Sequence, residues 1–490
     1  MISFIVLALY IITILIVISL IFIERRSVQS TVGWVIVLVS LPIIGLFFYI
    51  LFGRRFLKDR KLVLKKNEDT AIKYNNFNML SDLNSLSTSE ETNHRDMIKM
   101  FNNIGACPLT SGNNVDMYFE SEDFFNALIS ALEGAKKSIN IQFYIFKNDE
   151  IGSKIINILE RKQKEGVRVK LLYDAMGSRS ISDKDFEKLR AYGGEVAAFL
   201  PAKIKLLNVN LNYRNHRKLV IIDGGIDPSA NSEENIIPSV GFIGGFNIGD
   251  EYLGKYKKFG IWRDTHIKIL GPAVKYMNIR FLLDWRFATK KDFDLSEYIQ
   301  TPTKEYGDVS LQIVSSGPDM STEEIKYGYI KMIQDAKKYI YIQSPYLILD
   351  SSLLEALKMA CYRGVDVKVM IPAKPDHPFV YWANHSYAGE LLQLGAGIYK
   401  YSKDAFLHSK TVVIDDEVCS IGTANMDIRS FTLNFEVNAF IYSKDISIKQ
   451  RIQFEKDMEI SEKLTTTVYD NRNKIVRIKE SISRLLSPIL

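Results

Sequence analysis

His216-Arg217-Lys218-Leu219-Val220-Ile221-Ile222-Asp223 and His408-Ser409-Lys410-Thr411-Val412-Val413-Ile414-Asp415 share one spacing, His-x-Lys-x4-Asp, and lie 192 residues apart. Each runs from an imidazole and an amine through an apolar, β-branched stretch to a carboxylate, so each reads as a strand with polar ends. Each is followed by a small-residue turn and an asparagine, Gly244-Gly245-Phe246-Asn247 and Gly422-Thr423-Ala424-Asn425. With six histidines in the chain, about 0.04 such matches are expected by chance at ordinary Lys and Asp frequencies. Two matches with matching sequels indicate a duplication.

The repeat extends outward from the motifs in both directions. Ala135-Lys136-Lys137-Ser138-Ile139-Asn140-Ile141-Gln142 matches Ala336-Lys337-Lys338-Tyr339-Ile340-Tyr341-Ile342-Gln343, and Gly166-Val167-Arg168-Val169-Lys170-Leu171 matches Gly364-Val365-Asp366-Val367-Lys368-Val369. Downstream, Trp262-Arg263-Asp264-Thr265-His266 occupies the place of Asn434-Phe435-Glu436-Val437-Asn438, with a carboxylate at the same register. Helix, strand, helix, strand and then the motif is an α/β order. A period near 200 residues is too long for a solenoid and predicts two domains packed about a pseudo-twofold axis.

A twofold of this kind brings His216 and His408 to one cleft. Exchange of a phosphodiester needs one neutral imidazole to attack phosphorus and one protonated imidazole to release the departing alcohol. Asp264 and Glu436 are the candidate orienting carboxylates, holding the imidazoles through their second ring nitrogen. Lys218, Lys410, Asn247 and Asn425 are candidate donors to the non-bridging oxygens. Asp223 and Asp415 complete the candidate catalytic motif, although four residues of apolar strand separate them from their lysines and favour a turn or salt-bridge role. Of the remaining histidines, His266 falls on the strand face of Asp264 and His377 follows a strand end, each as suited to packing as to substrate contact. His94 and His385 carry no signal. No metal or other cofactor is expected.

A 490-residue chain with 47% hydrophobic residues can bury two domain cores. Cys107, Cys361 and Cys419 are scattered and odd in number, which speaks against disulfides and a zinc site. The net charge of +6 is matched by residues 54 to 66 alone, where Arg54, Arg55, Lys58, Arg60, Lys61, Lys65 and Lys66 face only Asp59. The balanced remainder argues against a nucleic-acid partner. Residues 2 to 23 and 27 to 53 carry no charged side chain, so the pair predicts a transmembrane helical hairpin over 1 to 56, with the basic cluster keeping the catalytic domains in the cytoplasm. Those basic residues also suit anionic phospholipid headgroups. A basic juxtamembrane segment and linker over 57 to 116 then leads to domains at 117 to 300 and 308 to 490. The basic apolar stretch from Tyr469 onward suits a terminal helix, either lying on a membrane or docked on the second domain.

The duplicated motif resembles the phospholipase D superfamily, and over essentially the whole chain the sequence is similar to its bacterial cardiolipin synthase branch. The resemblance rests on Asn215-His216-Arg217-Lys218, Gly244 to Tyr252, Trp262 to His266, Asp376 to Tyr381, Gly422 to Phe431 and Arg484-Leu485-Leu486-Ser487-Pro488. It implies two tandem phospholipase D-like domains, each a mixed sheet flanked by helices, in an enzyme of the bacterial cell membrane. It implies phosphatidyl transfer between two phosphatidylglycerol molecules through a phosphatidyl-histidine, with His216 as nucleophile and His408 as acid. A hydrolytic phospholipase D would use the same residues with water as acceptor. A polar insertion over 225 to 239 departs from the family pattern and reads as a surface loop.

Overall fold

The computed structural model describes residues 2–22, 28–41, 44–46, 49, 65, 94–105, 107–201, 213–224, 237–256, 258–293 and 304–487. Among the described residues, one sixteen-stranded mixed sheet runs through both repeats. Its order is Glu462–Leu464, Gly397–Lys400, Asp366–Ile371, Tyr339–Gln343, Thr411–Ile414, Val418–Gly422, Asn434–Tyr442, Val309–Ser316, Thr110–Tyr118, His266–Leu270, Val240–Gly244, Leu219–Ile222, Ser138–Phe143, Arg168–Asp174 and Glu195–Phe199, with Arg214–Asn215 joining off this path. Reading outward from the centre, the two halves repeat the same strand sequence. They meet where Thr110–Tyr118 pairs antiparallel with Val309–Ser316.

Within each half the first strands after a helix are parallel to one another, as crossover helices require. The motif strands Leu219–Ile222 and Thr411–Ile414 enter antiparallel beside them. One face of the sheet is covered in the first half by the helices Ser121–Gly134 and Glu150–Lys164, and in the second by Glu324–Asp335 and Ser351–Tyr362. The opposite face carries one core shared by both halves, where Met277 and Phe281 of helix Ala273–Thr289 join Phe454 of helix Lys444–Glu459. A sheet covered on both faces has fully buried strands, which is why the apolar runs lack alternation.

Two expectations change. The segment up to 116 is not a linker throughout: the helix Arg95–Gly105 buries Met97 and Phe101 in the core of the second half, and the first strand starts at Thr110. The polar run before it masked an amphipathic helix whose buried residues are spaced i, i+4. The N-terminal segments are helical over Ile2–Phe22 and Val28–Ser40, but among the described residues no helix is long and apolar enough to cross a membrane. The second helix, at 13 residues, rises about 20 Å against the ~30 Å of a hydrocarbon core. A transmembrane hairpin is therefore not supported. The basic cluster apart from Lys65, and the insertion at 225 to 236, lie outside the described residues.

Candidate active site

Two short parallel pairings cross between the halves. Arg214–Asn215 pairs with Asn434–Phe435, and Ala405–Leu407 pairs with Ile261–Arg263. The His216 amide donates to the Phe435 carbonyl at 2.9 Å, and the His408 amide donates to the Arg263 carbonyl at 2.8 Å. Each motif histidine is thereby registered against the residue preceding the carboxylate of the opposite repeat.

The side chains complete the exchange. His216 Nδ1 lies 3.0 Å from Glu436 Oε2, and His408 Nδ1 lies 2.6 Å from Asp264 Oδ2. Each imidazole of one half is held by the acid of the other, leaving Nε2 for chemistry. The surroundings of the two acids differ. Glu436 also accepts from Thr423 Oγ1 at 2.5 Å and from Asn434 Nδ2 at 3.1 Å. Gly245 stands where the second repeat has Thr423, and a Cβ there would lie 1.9 Å from Asp264 Oδ1, so the first repeat needs glycine to admit the shorter acid. Tyr144 packs edge-on against His216, and Trp262 packs at a tilt against His408.

Burial dominates the electrostatics. Desolvation pulls both imidazoles below their ordinary range, against the raising effect of their carboxylates, with His408 lowered to about 3. It lowers Lys218 to about 7 and Lys410 to about 8, against the raising effect of Glu436 and Asp264, and the Lys410 charge depresses Lys218 further. Burial pushes Glu436 and Asp264 up, but the cationic lysines and the histidines outweigh it and hold both below the usual carboxylate range. The charges of Lys218 and Lys410 both act on His216 and on His408, so the two motifs occupy one electrostatic site. Each lysine ammonium bonds its own histidine's carbonyl.

The other candidates fall elsewhere. Asp223 accepts from the backbone N–H groups of Lys136, Lys137 and Ser138 at 2.6 to 3.1 Å, and Asp415 from those of Lys337, Lys338 and Tyr339 at 2.7 to 2.9 Å. Both have positive φ, 55° and 54°, and sit at the far strand ends, so their geometry is that of turn anchors rather than of groups beside the imidazoles. Asn247 is engaged at both ends, accepting from Ile145 N–H and donating to the Tyr252 hydroxyl. Among the described residues the Asn425 side-chain amide makes only a 3.5 Å contact with Asp427. The two asparagines are therefore not equivalent as phosphate donors. His266 is buried against Phe124, ring centroids 4.2 Å apart, and fills a packing role. His385 bonds the Tyr381 carbonyl, His94 meets Glu417, and His377 is exposed at a helix start.

A charged network behind His216 had no clear sequence signal. Arg217 donates from Nε to the Glu436 carbonyl at 3.1 Å and pairs through Nη1 with Asp284 at 2.5 Å. Arg280 also meets Asp284, and Lys65 lies 2.7 Å from Asp319 and 3.7 Å from Asp284, all deeply buried. Behind His408 the counterpart is simpler: Arg263 pairs with Asp457, which also accepts from Gln343. Among the described residues no cluster of His, Cys, Asp and Glu could hold a metal ion.

Comparison with known proteins agrees with the duplication. A family model described as "Cardiolipin synthase, PLD-like domain" matches residues 128–261 and again 329–458, and one described as phospholipase D-nuclease N-terminal matches 8–54. The major cardiolipin synthase of Bacillus subtilis is 46% identical over 488 residues, 98% of each chain. A cardiolipin synthase of Staphylococcus aureus is 45% identical over 98% of this chain and 95% of its own. The crystal structure of Haemophilus influenzae phosphatidylserine synthase shares the fold, with TM-score 0.58 at 16% identity over 81% of this chain and all of that one. With the motifs doubled and the likeness running from end to end, the chain belongs to the cardiolipin synthase family of phospholipase D-like enzymes.

Proposed function

We propose that the protein joins two phosphatidylglycerol molecules into cardiolipin and glycerol by two displacements at phosphorus, with His216 as nucleophile and His408 as acid and base. His216 Nε2 attacks the phosphorus of the first lipid while Glu436 holds Nδ1–H, giving a phosphatidyl-histidine. The bond from phosphorus to the headgroup glycerol oxygen breaks, and His408 gives that oxygen its proton, releasing glycerol. The terminal hydroxyl of a second phosphatidylglycerol then gives its proton to His408 and attacks phosphorus. The phosphorus–nitrogen bond breaks and His216 is restored. Lys218 and Lys410 neutralise the non-bridging oxygens as charge grows on them. The substrate phosphate brings a negative charge into a desolvated site, which raises the proton affinity of the imidazole that must act as acid.

The observation that carries this reading is the crossed pairing of His216 with Glu436 and His408 with Asp264. It supplies two oriented imidazoles sharing a site with two buried lysines. The membrane-side setting is supported by the charge-free N-terminal stretches and by the outward apolar side chains Phe4, Leu7, Tyr10, Leu15, Ile36 and Val39. The basic cluster suits an anionic lipid surface, against which the catalytic body then works. An enzyme held there works beside a high surface concentration of lipid alcohol, which favours transfer over hydrolysis. Incubation of pure protein with headgroup-labelled phosphatidylglycerol tests it: one glycerol released per cardiolipin formed supports the transferase, and phosphatidic acid as dominant product would make it a hydrolase.

A further inference from the structure

The C-terminal helix Lys474–Leu485 is packed inside out. Its buried residues are Glu480 and Ser483, while Ile475, Ile478, Ile482 and Leu485 are 65, 58, 48 and 81% exposed. The spacing i, i+3, i+7, i+10 places these four on one stripe. Lys474 and Lys479 flank that stripe on either side at 100° per residue, and both are exposed. A helix docked for stability would turn its isoleucines inward.

The opposite, polar face is what fixes the helix to the body. Arg484 bonds Glu390, Glu480 pairs with Arg472 of the preceding turn at 2.7 Å, and Tyr387 meets Ser487 just past the helix, while Lys479, at the border of the stripe, lies over the Trp382 ring. Glu390, Trp382 and Tyr387 belong to the helix Pro378–Leu392. The start of that helix borders the candidate active site: Asp376, two residues before it, bonds the Tyr346 hydroxyl and its charge acts on Lys410. Phe379, in its first turn, is 51% exposed. The apolar stripe is thus held in fixed relation to the site by a polar seam.

We propose that this stripe is a membrane-docking surface, seated in the acyl boundary of an anionic phospholipid bilayer with Lys474 and Lys479 at the phosphates, which turns the mouth of the site toward the headgroups. The charge pattern selects the occupant. Exposed cations bordering an apolar stripe match an anionic lipid interface, in which amphipathic helices bury one face beneath the headgroups. A second protein copy would bring the same cations against themselves. The inference rests on the lipid reaction proposed above, and it assigns the helix the task of presenting the site to substrate that stays in the bilayer.

The test uses the full-length protein carrying I478C on a C361S/H216A background, which cannot turn over, labelled with an environment-sensitive fluorophore and reconstituted. Vesicles of phosphatidylglycerol and phosphatidylcholine are expected to shift the probe to an apolar environment, more strongly than vesicles of phosphatidylcholine alone. The companion variant I475S/I478S/I482S is expected to lose at least 10-fold of its activity on vesicles and to stay within 2-fold of wild type on detergent-dispersed lipid. A probe that remains in water on anionic vesicles overturns the proposal, as does a probe buried in detergent through dimerisation. Equal loss in detergent and vesicles would reduce the stripe to a structural element. Because probe depth is read without catalysis, its failure is distinguishable from failure of the reaction.

Discussion

His216 Nδ1 sits 3.0 Å from Oε2 of Glu436, a residue 220 positions further along and in the other repeat. The reciprocal pair, His408 and Asp264, spans 144 positions. Neither repeat alone therefore holds an oriented imidazole, and duplication is a condition of the site. Removing either carboxylate is expected to disable the opposite repeat's histidine. E436Q and D264N should each lower kcat by about 10²–10⁴-fold, the range seen when an orienting acid loses its charge. Steady-state assays on dispersed phosphatidylglycerol check this, with the fold monitored by circular dichroism.

Asp223 and Asp415 should behave differently from the histidines. Each carboxylate gathers three backbone N–H groups at the start of the neighbouring strand. D223A should cost about 1–3 kcal/mol of stability by orphaning the buried N–H of Ser138 and the part-buried ones of Lys136 and Lys137 and by placing alanine at positive φ. The kcat of the remaining folded fraction should stay near wild type. Thermal unfolding and active-site titration separate the two effects.

The repeat, the paired motifs and the two carboxylate registers were legible in the sequence because duplication makes each copy a control for the other. The crossing was not, since Asp264 and Glu436 occupy equivalent positions and only the pairing of Arg214–Asn215 with Asn434–Phe435 shows which histidine each one serves. Asn247 matches Asn425 in sequence, yet its amide is consumed by Ile145 and Tyr252, partners that no spacing reveals. Lys65 stood within a basic run that reads as solvated, while the structure buries it. The terminal helix looked amphipathic, but which face packs inward depended on Glu390 and Trp382 of another helix.

Lys65 is expected to matter through Asp319. It makes the direct ion pair of that buried carboxylate and, with Asp284, reaches Arg217 and the Glu436 carbonyl. K65M should lower the melting temperature and kcat, because breaking a buried pair strands one charge. K65M/D319N should recover much of both losses. A double-mutant cycle with no coupling would detach Lys65 from the site.

The buried lysines set opposite pH trends for activity and stability. With Lys218 lowered to about 7 and Lys410 to about 8, kcat/KM should fall as pH rises through 7 to 8, because the phosphate loses its cationic partners. In the substrate-free protein the unfolded chain binds more protons than the folded one between these values and the ordinary lysine range. Stability contributed by these two groups therefore rises with pH across that window. K218M/K410M should show a smaller rise in melting temperature from pH 7 to 9 than wild type.

Capture of the covalent intermediate tests the division of labour between His216 and His408 most directly. Rapid acid-free quenching of the enzyme with phosphatidylglycerol labelled at phosphorus, followed by proteolysis and mass spectrometry, reads which imidazole carries the lipid phosphate. Label is expected on His216, with none in E436Q at the time that saturates wild type. Label on His408, or turnover to cardiolipin with no labelled histidine at any time, would contradict the assignment of His216 as nucleophile.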